Sequence, residues 1–227
     1  MNNSTNTQIL KKEKPSNENA IIVFIKNPAL GKVKTRLAAT MGDEKALAIY
    51  NMLMHHTMFI TSHLEADKYL FYSDFVDEND IWNNDKYLKV IQHQTQDLGL
   101  NMASAFGTTL QNKHKKVLII GSDCFELNNE IIKEAYSKLS ENEVVIGPAY
   151  DGGYYLIGFN FEKIDNQCEE VLEKFFLGKE WSHERVCQEA KDACSMLNLE
   201  FFQLPTLTDV DEEKDYLKTK YLASKIA

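Results

Sequence analysis

The chain has 227 residues, 44% hydrophobic and 26% charged, a size and composition typical of a globular protein with one domain. Its formal net charge of -9 argues against a nucleic-acid partner, since phosphate backbones attract basic surfaces. No apolar run approaches the roughly 20 residues that span a bilayer, and the four cysteines lack metal-finger spacing, so we expect a cytoplasmic protein with free thiols, no structural zinc and no membrane span.

Residues 1–19 are polar and lack the apolar core of a signal peptide. We therefore predict a disordered tail there, followed by a single domain over residues 20–227. The domain opens with a predicted strand, Ala20–Lys26, which breaks at Asn27 and Pro28 and leads into a helical pattern.

Basic residues cluster in the segment after this strand: Lys26, Lys32, Lys34 and Arg36, with Gly31 among them. A strand, a glycine-containing loop and several cations are typical of a polyphosphate-binding turn. Loop amides and a helix N-terminus face the anion, and the basic groups neutralise it. The alternative is a solvated basic face after an edge strand.

The rest of the chain alternates between helical and strand patterns. Helices are predicted over Asp43–Leu64, Leu98–Gln111, Asn128–Leu139, Asn166–Phe176, His183–Leu197 and Asp211–Ala223. Further strands are predicted over Asp67–Ser73, Tyr87–Gln92, Lys116–Ile120, Glu143–Gly147, Tyr154–Phe159 and Phe201–Leu204. This alternation predicts an α/β fold, a three-layer α/β/α sandwich with a mostly parallel mixed sheet. Ligands of such sheets bind beyond the carboxyl ends of the strands.

Two carboxylate-bearing segments follow predicted strands. Asp123 lies just after the apolar strand Lys116–Ile120, where a carboxylate can hold a divalent cation that bridges phosphate oxygens, or bind a ribose. A helix cap or turn is the alternative. Asp209 and Asp211 lie two residues apart ahead of the last predicted helix. They can add a carboxylate to a metal site, or Asp211 can cap that helix.

The segment from Gly147 to Gly158 carries a double glycine after Asp151. Gly152 and Gly153 allow a sharp turn or a close approach to a ligand, and Asp151 can accept sugar hydroxyls or act as a base. Tyr154 begins the next strand, so it and its neighbour face opposite sides of the sheet. A glycine-rich hairpin turn flanked by core tyrosines explains the same residues equally well.

Taken together and in this order, these segments resemble a bacterial family, DUF2064. Its members are described as glycosyltransferase-like proteins associated with radical-SAM and selenium genes, and some as arsenosugar-biosynthesis glycosyltransferases. The similar segments are Phe24–Leu37, Asp97–Met102, Gly121–Leu127, Gly147–Gly158, Trp181–Ser182 and Leu204–Asp215. The first and fourth are the most specific, and together the six cover nearly the whole chain after residue 20.

The resemblance implies a GT-A-like nucleotide-diphosphosugar transferase fold and a Mg²⁺ or Mn²⁺ cofactor. It implies that the basic loop contacts nucleotide phosphates, through Lys26, Gly31, Lys34 and Arg36. It gives Asp123 and Asp151 catalytic roles and places Gly152, Gly153, Tyr154 and Trp181 in the sugar or acceptor pocket. The implied metal ligands are Asp123 with Asp209 or Asp211.

Three residues depart from the family pattern. Asn101 stands where the family usually has Arg, Phe125 where it has Pro, and His183 where it has Thr. The loss of the Arg removes a fixed charge that could bind phosphate in a bidentate manner. We therefore expect either a nucleotide or acceptor preference that differs from that of typical members, or a reduced activity.

The sequence thus predicts a metal-dependent glycosyltransferase acting on a nucleotide sugar and a small-molecule acceptor. A nucleotidylyltransferase that releases pyrophosphate from an NTP is the second hypothesis, since the same groups serve both reactions. The chain lacks the glycine-rich opening of many nucleotidylyltransferases, which favours glycosyl transfer. A noncatalytic nucleotide-binding module is the third. The sequence specifies neither the acceptor nor the oligomeric state.

Overall fold

The computed structural model of the protein describes residues 17–93 and 95–226. Within these ranges, side chains are described up to Thr219. The predicted disordered tail lies, for residues 1–16, outside the described residues. Its last residue, Asn19, instead begins the first strand.

Within the described residues, seven strands form one sheet. They are β1 (Asn19–Ile25), β2 (Asp67–Tyr72), β3 (Tyr87–Ile91), β4 (Lys116–Ile120), β5 (Val144–Pro148), β6 (Tyr154–Asn160) and β7 (Phe201–Gln203). Their order across the sheet is β3-β2-β1-β4-β6-β5-β7. Strand β6 runs antiparallel to β4 and β5, and the other strand pairs are parallel. The predicted mostly parallel mixed sheet is therefore confirmed.

Helices cover both faces of this sheet. They are α1 (Thr35–Met41), α2 (Asp43–Ser62), α3 (Leu98–Gln111), α4 (Asn129–Lys138), α5 (Phe161–Ile164), α6 (Cys168–Phe176), α7 (Val186–Met196) and α8 (Glu213–Ile226). One core cluster joins α2 and α4 to the sheet, and a second joins α3, α6 and α7 to the other face. The predicted α/β/α sandwich is confirmed. None of the helices in the described part of the chain is both long and apolar enough to cross a bilayer.

Alternation along the strands explains how one sheet supports two cores. In β1, Ile21 and Val23 belong to the first cluster, whereas Ile22 between them belongs to the second. Successive strand residues point to opposite faces, so an uninterrupted apolar run suits a strand with helices on both sides. Tyr154 and Tyr155 divide in the same way, as predicted.

Two helices next to candidate site residues begin later than predicted. The helix predicted from His183 begins at Val186. The helix predicted from Asp211 begins at Glu213. There the Asp215 carboxylate accepts the Glu212 N–H at 2.9 Å, so the cap comes from inside the helix.

Candidate functional site

A cleft of about 610 Å³ opens at the edge of the sheet where β1, β2, β3 and β4 end. Residues that directly follow each of these strands line it: Lys26, Ser73, Gln92 and Gly121–Asp123. The start of β6 lies on the same edge, because β6 is antiparallel to β4. The topology therefore gathers the predicted motifs at the edge where α/β sheets bind ligands.

Lys34 is the charged centre of this cleft. Its Nζ atom lies 2.9 Å from Oδ1 of Asp123 and 2.9 Å from Oδ1 of Asp211. The side chain is only 6% exposed. Burial lowers the pKa of Lys34, but the two carboxylates outweigh this effect and raise the pKa above its usual value. Lys34 is therefore a fixed cation between two carboxylates contributed by distant parts of the chain.

This contact bears on one of two alternatives for Asp211. Its carboxylate was predicted either to cap the last helix or to complete a metal site. In the structure it accepts a hydrogen bond from Lys34, and the helix is capped by Asp215, so the capping alternative is wrong. The role of Asp211 in a metal site stays a prediction.

Carboxylates outnumber cations around Lys34. Burial raises the pKa of Asp209 to about 8, and the negative charges of three neighbouring aspartates add to this effect. These neighbours are Asp123, Asp151 and Asp211, whereas Lys34 acts in the opposite direction. The cluster thus carries more negative charge than its single buried cation balances, and another cation would relieve the repulsion.

This donor set fits Mg²⁺ or Mn²⁺. Such ions prefer carboxylate oxygens and are commonly held by one or two carboxylates together with substrate phosphates. Within the described residues, no three acidic, histidine or cysteine side chains converge closely enough to hold a metal by themselves. Asp123 and Asp211, with Asp209 behind them, would therefore need oxygen atoms from a ligand to complete the coordination.

Two further cations line the cleft near Lys34. Lys26 and Arg36 are exposed, and neither forms an ion pair with any described residue. Their charges are free to meet an anion in the cleft. Gly31 was predicted in the same loop site but lies off the cleft wall. Its left-handed backbone, with φ 70°, allows the loop to turn, and Gly31 faces the Asp43 carboxylate.

The turn between β5 and β6 forms the opposite wall. Asp151 Oδ1 accepts the Gly153 N–H at 2.9 Å, and the Ala149 N–H reaches Gly153 O at 2.9 Å. The turn is therefore a hairpin turn and also lines the cleft through Asp151 and Gly153. The hairpin explanation of the double glycine is confirmed, and the approach of a ligand at Gly153 stays a prediction.

Gly152 was predicted in the substrate pocket, but it faces the protein. A Cβ atom there would lie 2.0 Å from the Glu184 carbonyl oxygen, and the backbone has φ 93°. The Cys187 N–H also donates to Gly152 O at 2.8 Å. Gly152 therefore allows the backbone around Glu184 to pack closely against the turn. Glu184 itself lines the cleft.

Gly152→Ala is expected to lower the free energy of unfolding by about 2–5 kcal/mol, because it adds backbone strain and a clash with backbone atoms. Gly178→Ala is the matched control: its φ is 66°, and a Cβ atom there would meet no atom within 4 Å. The control should lose only about 1 kcal/mol. Equal losses in urea unfolding would show that the contact with Glu184 contributes nothing.

The remaining wall is mostly apolar. Trp181 stacks near Phe176 with ring centroids 6.4 Å apart, and the Tyr154 hydroxyl lies 3.9 Å from Met102 Sδ. Trp181, Tyr154 and Met102 line the cleft together with Leu98. An apolar wall opposite a charged one suits a ligand with a polar end and a carbon-rich end.

The three departures from the family pattern lie in different places. Asn101 is buried, donates to Thr95 O at 3.2 Å and does not line the cleft. Phe125 packs against His56 with ring centroids 4.6 Å apart. His183 lines the cleft, and its Nε2 donates a hydrogen bond to the Glu180 carbonyl at 3.1 Å.

Three residues in the cleft or directly beside it carried no site prediction. Asn27 is buried, and its side chain holds the loop after β2 through the Asp74 N–H and Phe75 O, at 3.1 and 2.9 Å. Tyr50 and Gln92 also line the cleft. Tyr50 lies within the predicted helix Asp43–Leu64, and only the fold shows that its hydroxyl reaches the site.

Comparison with known proteins places the chain in a bacterial group. Residues 58–183 match the sequence profile of a family described as an uncharacterized protein conserved in bacteria, DUF2064. No protein of curated function matches the chain with significance.

Solved structures share the fold. A provisionally assigned nucleotide-diphospho-sugar transferase from Desulfovibrio desulfuricans is 30% identical, with a TM-score of 0.80 over 92% of this chain and 88% of that one. A 4-diphosphocytidyl-2C-methyl-D-erythritol synthase from Anaerococcus prevotii is 13% identical, with a TM-score of 0.55 over 91% and 96%. A 2-C-methyl-D-erythritol 4-phosphate cytidylyltransferase from Thermus thermophilus is 10% identical, with a TM-score of 0.55 over 93% and 100%.

Proposed function

The chain belongs to the DUF2064 family, and we propose that it is a metal-dependent glycosyltransferase that uses a nucleotide-diphosphosugar donor and a small-molecule acceptor. The Desulfovibrio protein, assigned as a nucleotide-diphospho-sugar transferase and 30% identical over 92% of the chain, supports this activity. The charges of the cleft support it independently.

The observation that carries the proposal is the position of Lys34. Its ammonium group lies 2.9 Å from both Asp123 and Asp211, at the point where the free cations Lys26 and Arg36 share a cleft with these carboxylates. A diphosphate needs cations on one side, and a divalent metal bound to it needs carboxylates on the other. The cleft offers both within one cavity.

The metal would be held by Asp123 and Asp211 together with phosphate oxygens of the donor, with the carboxyl group of Asp209 behind them. When bound, Mg²⁺ or Mn²⁺ supplies positive charge that stabilises the leaving nucleoside diphosphate. Lys34 would then neutralise the same phosphates from the loop side, since its Nζ lies beside the same carboxylates.

Asp151 is the proposed base. Its Oδ1 is fixed by the Gly153 N–H, which orients the carboxylate at the cleft wall. The acceptor hydroxyl oxygen would bond to the anomeric carbon and pass its proton to Asp151. The bond from that carbon to the phosphate oxygen breaks, and its electron pair leaves with the diphosphate.

The acceptor would lie at the apolar wall formed by Trp181 and Tyr154. The ring of Trp181 is part of this wall and packs on Phe176 behind it. Aromatic rings commonly pack on the apolar faces of sugars and similar small molecules. This wall therefore suits a carbon-rich acceptor beside the reacting centre.

A nucleotidylyltransferase is the second candidate. The two cytidylyltransferase-type proteins compared above have the same fold. In that reaction, an oxygen of a phosphorylated or acidic acceptor attacks the α-phosphorus of an NTP, and pyrophosphate leaves. The same cations and carboxylates would stabilise the transferred charge.

A thermal-shift panel of nucleotide sugars and NTPs, each with and without Mn²⁺, tests these alternatives. A ligand at about 100 times its Kd adds roughly 2.7 kcal/mol, which raises Tm by about 5–11 °C for a domain of this size. A Mn²⁺-dependent shift with a nucleotide sugar is expected. A shift with NTPs alone would favour nucleotidyl transfer, and the absence of any shift would overturn both.

Turnover distinguishes an enzyme from a binding module. The donor found in the panel is incubated with Mn²⁺, and release of the nucleoside diphosphate is measured with and without an acceptor pool. Asp151→Asn should retain donor binding and lose turnover, since only the base is removed. Binding without turnover in the wild-type protein would favour the noncatalytic module.

A further inference from the structure

Strands β1 and β4 separate at the mouth of the cleft. Their ladder ends at the pair Val23 and Ile120, whereas β1 stays paired with β2 as far as Ile25. Past this point Lys26 and Ser122 line the cleft from opposite sides. The backbone of Lys26 therefore leaves the sheet at the place where the basic loop begins.

The hydroxyl of Tyr50 lies in this gap. It accepts the Lys26 N–H at 2.8 Å and donates to the Lys26 carbonyl at 2.8 Å, and the Ser122 side chain lies beside it. Burial raises the pKa of Tyr50 to about 12, so the hydroxyl keeps its proton at neutral pH. One side chain thus satisfies both backbone groups that the sheet leaves open.

The ring behind this hydroxyl is rigidly placed. Tyr50 lies within the long helix α2, is 2% exposed and belongs to the core cluster that also contains Val33 and Ile120. Val33 directly precedes Lys34, so the same packed helix holds the start of the basic loop through a hydroxyl and its end through apolar packing. A loop fixed at both ends keeps its cations in place before the ligand arrives.

We propose that Tyr50 is a positioning residue for the phosphate-binding loop: its hydroxyl fixes the Lys26 backbone opposite Ser122 and so sets the cleft in which a diphosphate binds. This role rests on the proposed function, because it needs an anion in the cleft. Tyr50 itself need not touch the ligand, since it acts through Lys26 and the loop that follows.

The chain offers a matched control at the other end of the same strand. The Tyr136 hydroxyl donates to the Ala20 carbonyl at 2.8 Å, and Ala20 lies at the start of β1. Tyr136→Phe and Tyr50→Phe therefore each remove a buried tyrosine hydroxyl from β1. They differ in their distance from the cleft.

The test measures the binding of inorganic pyrophosphate in excess Mg²⁺ by calorimetry. One lost hydrogen bond corresponds to about a two- to tenfold change in an equilibrium constant. Tyr50→Phe is expected to raise the Kd for pyrophosphate toward the upper end of that range, and Tyr136→Phe to leave it within about twofold of wild type. Both should lower Tm, and Tyr50→Phe should lower it more, because it leaves the Lys26 N–H and carbonyl unsatisfied whereas Tyr136→Phe leaves only the Ala20 carbonyl.

Amide hydrogen exchange at Lys26 gives a second readout that needs no ligand. It should become faster in Tyr50→Phe and stay unchanged in Tyr136→Phe. An unchanged pyrophosphate Kd in a folded Tyr50→Phe, with wild-type binding intact, would overturn the positioning role alone. If the wild-type protein bound neither pyrophosphate nor any nucleotide sugar, the proposed function would fail and the positioning role with it.

Discussion

Replacing Lys34 by Met is expected to lower kcat/KM for the nucleotide sugar by about 10²–10³-fold. Lys34 is the one buried cation beside Asp123 and Asp211 in the described residues, and a fixed donor facing developing negative charge typically contributes about 2.7–4 kcal/mol to the transition state. Methionine keeps the length of the side chain and removes its charge. Steady-state kinetics of donor turnover measure the effect.

The same variant should become more dependent on metal for stability. Without the ammonium group, Asp123 and Asp211 face each other with no cation between them, and a divalent ion can take that place. The rise in Tm on adding Mn²⁺ is therefore expected to be larger in Lys34→Met than in the wild-type protein. Lys133→Met, on the exposed face of α4, is the control and should change neither activity nor the Mn²⁺ response. If Lys34→Met kept wild-type turnover, the phosphate role of Lys34 would be wrong.

The cleft was predictable from the sequence because its topology follows from local patterns. The apolar run Lys116–Ile120 indicates a strand buried on both faces, and the ends of parallel strands meet at one edge of the sheet. Asp123, the basic loop and the turn at Asp151 therefore had to converge once each was placed after a strand or beside one. Both short-range signals and the resemblance to the family pointed to the same edge.

The contacts between side chains within the cleft were not predictable in this way. Lys34 and Asp211 are 177 residues apart, and no periodicity links positions at that separation. Asp211 precedes a helix, so its local pattern favoured a cap, whereas the folded chain gives it a cation. Tyr50 shows the same limit, because helical spacing identifies a buried ring but does not reveal what its hydroxyl reaches.

A buried ion pair between Asp80 and Lys89 leads to the largest expected change in stability. The Asp80 carboxylate accepts a hydrogen bond from Lys89 Nζ at 2.7 Å, from the Trp82 N–H at 2.9 Å and from the Tyr72 hydroxyl. Lys89 is 4% exposed and Asp80 16%. This ion pair ties the loop between β2 and β3 to both strands, beside the end of the cleft lined by Ser73.

Asp80→Asn is expected to lower the free energy of unfolding by about 3–5 kcal/mol, because it leaves a buried ammonium group without a counter-charge. Urea unfolding measures the change. Asp85→Asn alters the charge of the same loop equally, at an exposed carboxylate for which the structure gives no hydrogen bond or ion pair. That control should shift stability by no more than about 0.5 kcal/mol.

A double-mutant cycle separates the effect of the uncompensated Lys89 charge from the other effects of the Asp80→Asn substitution. Lys89→Met on the Asp80→Asn background removes the uncompensated ammonium, so the double variant should be more stable than Asp80→Asn alone. Additive losses would mean that the two side chains act independently, despite the 2.7 Å between them. A favourable coupling would show that the loop is held by a charge pair rather than by packing around Trp82.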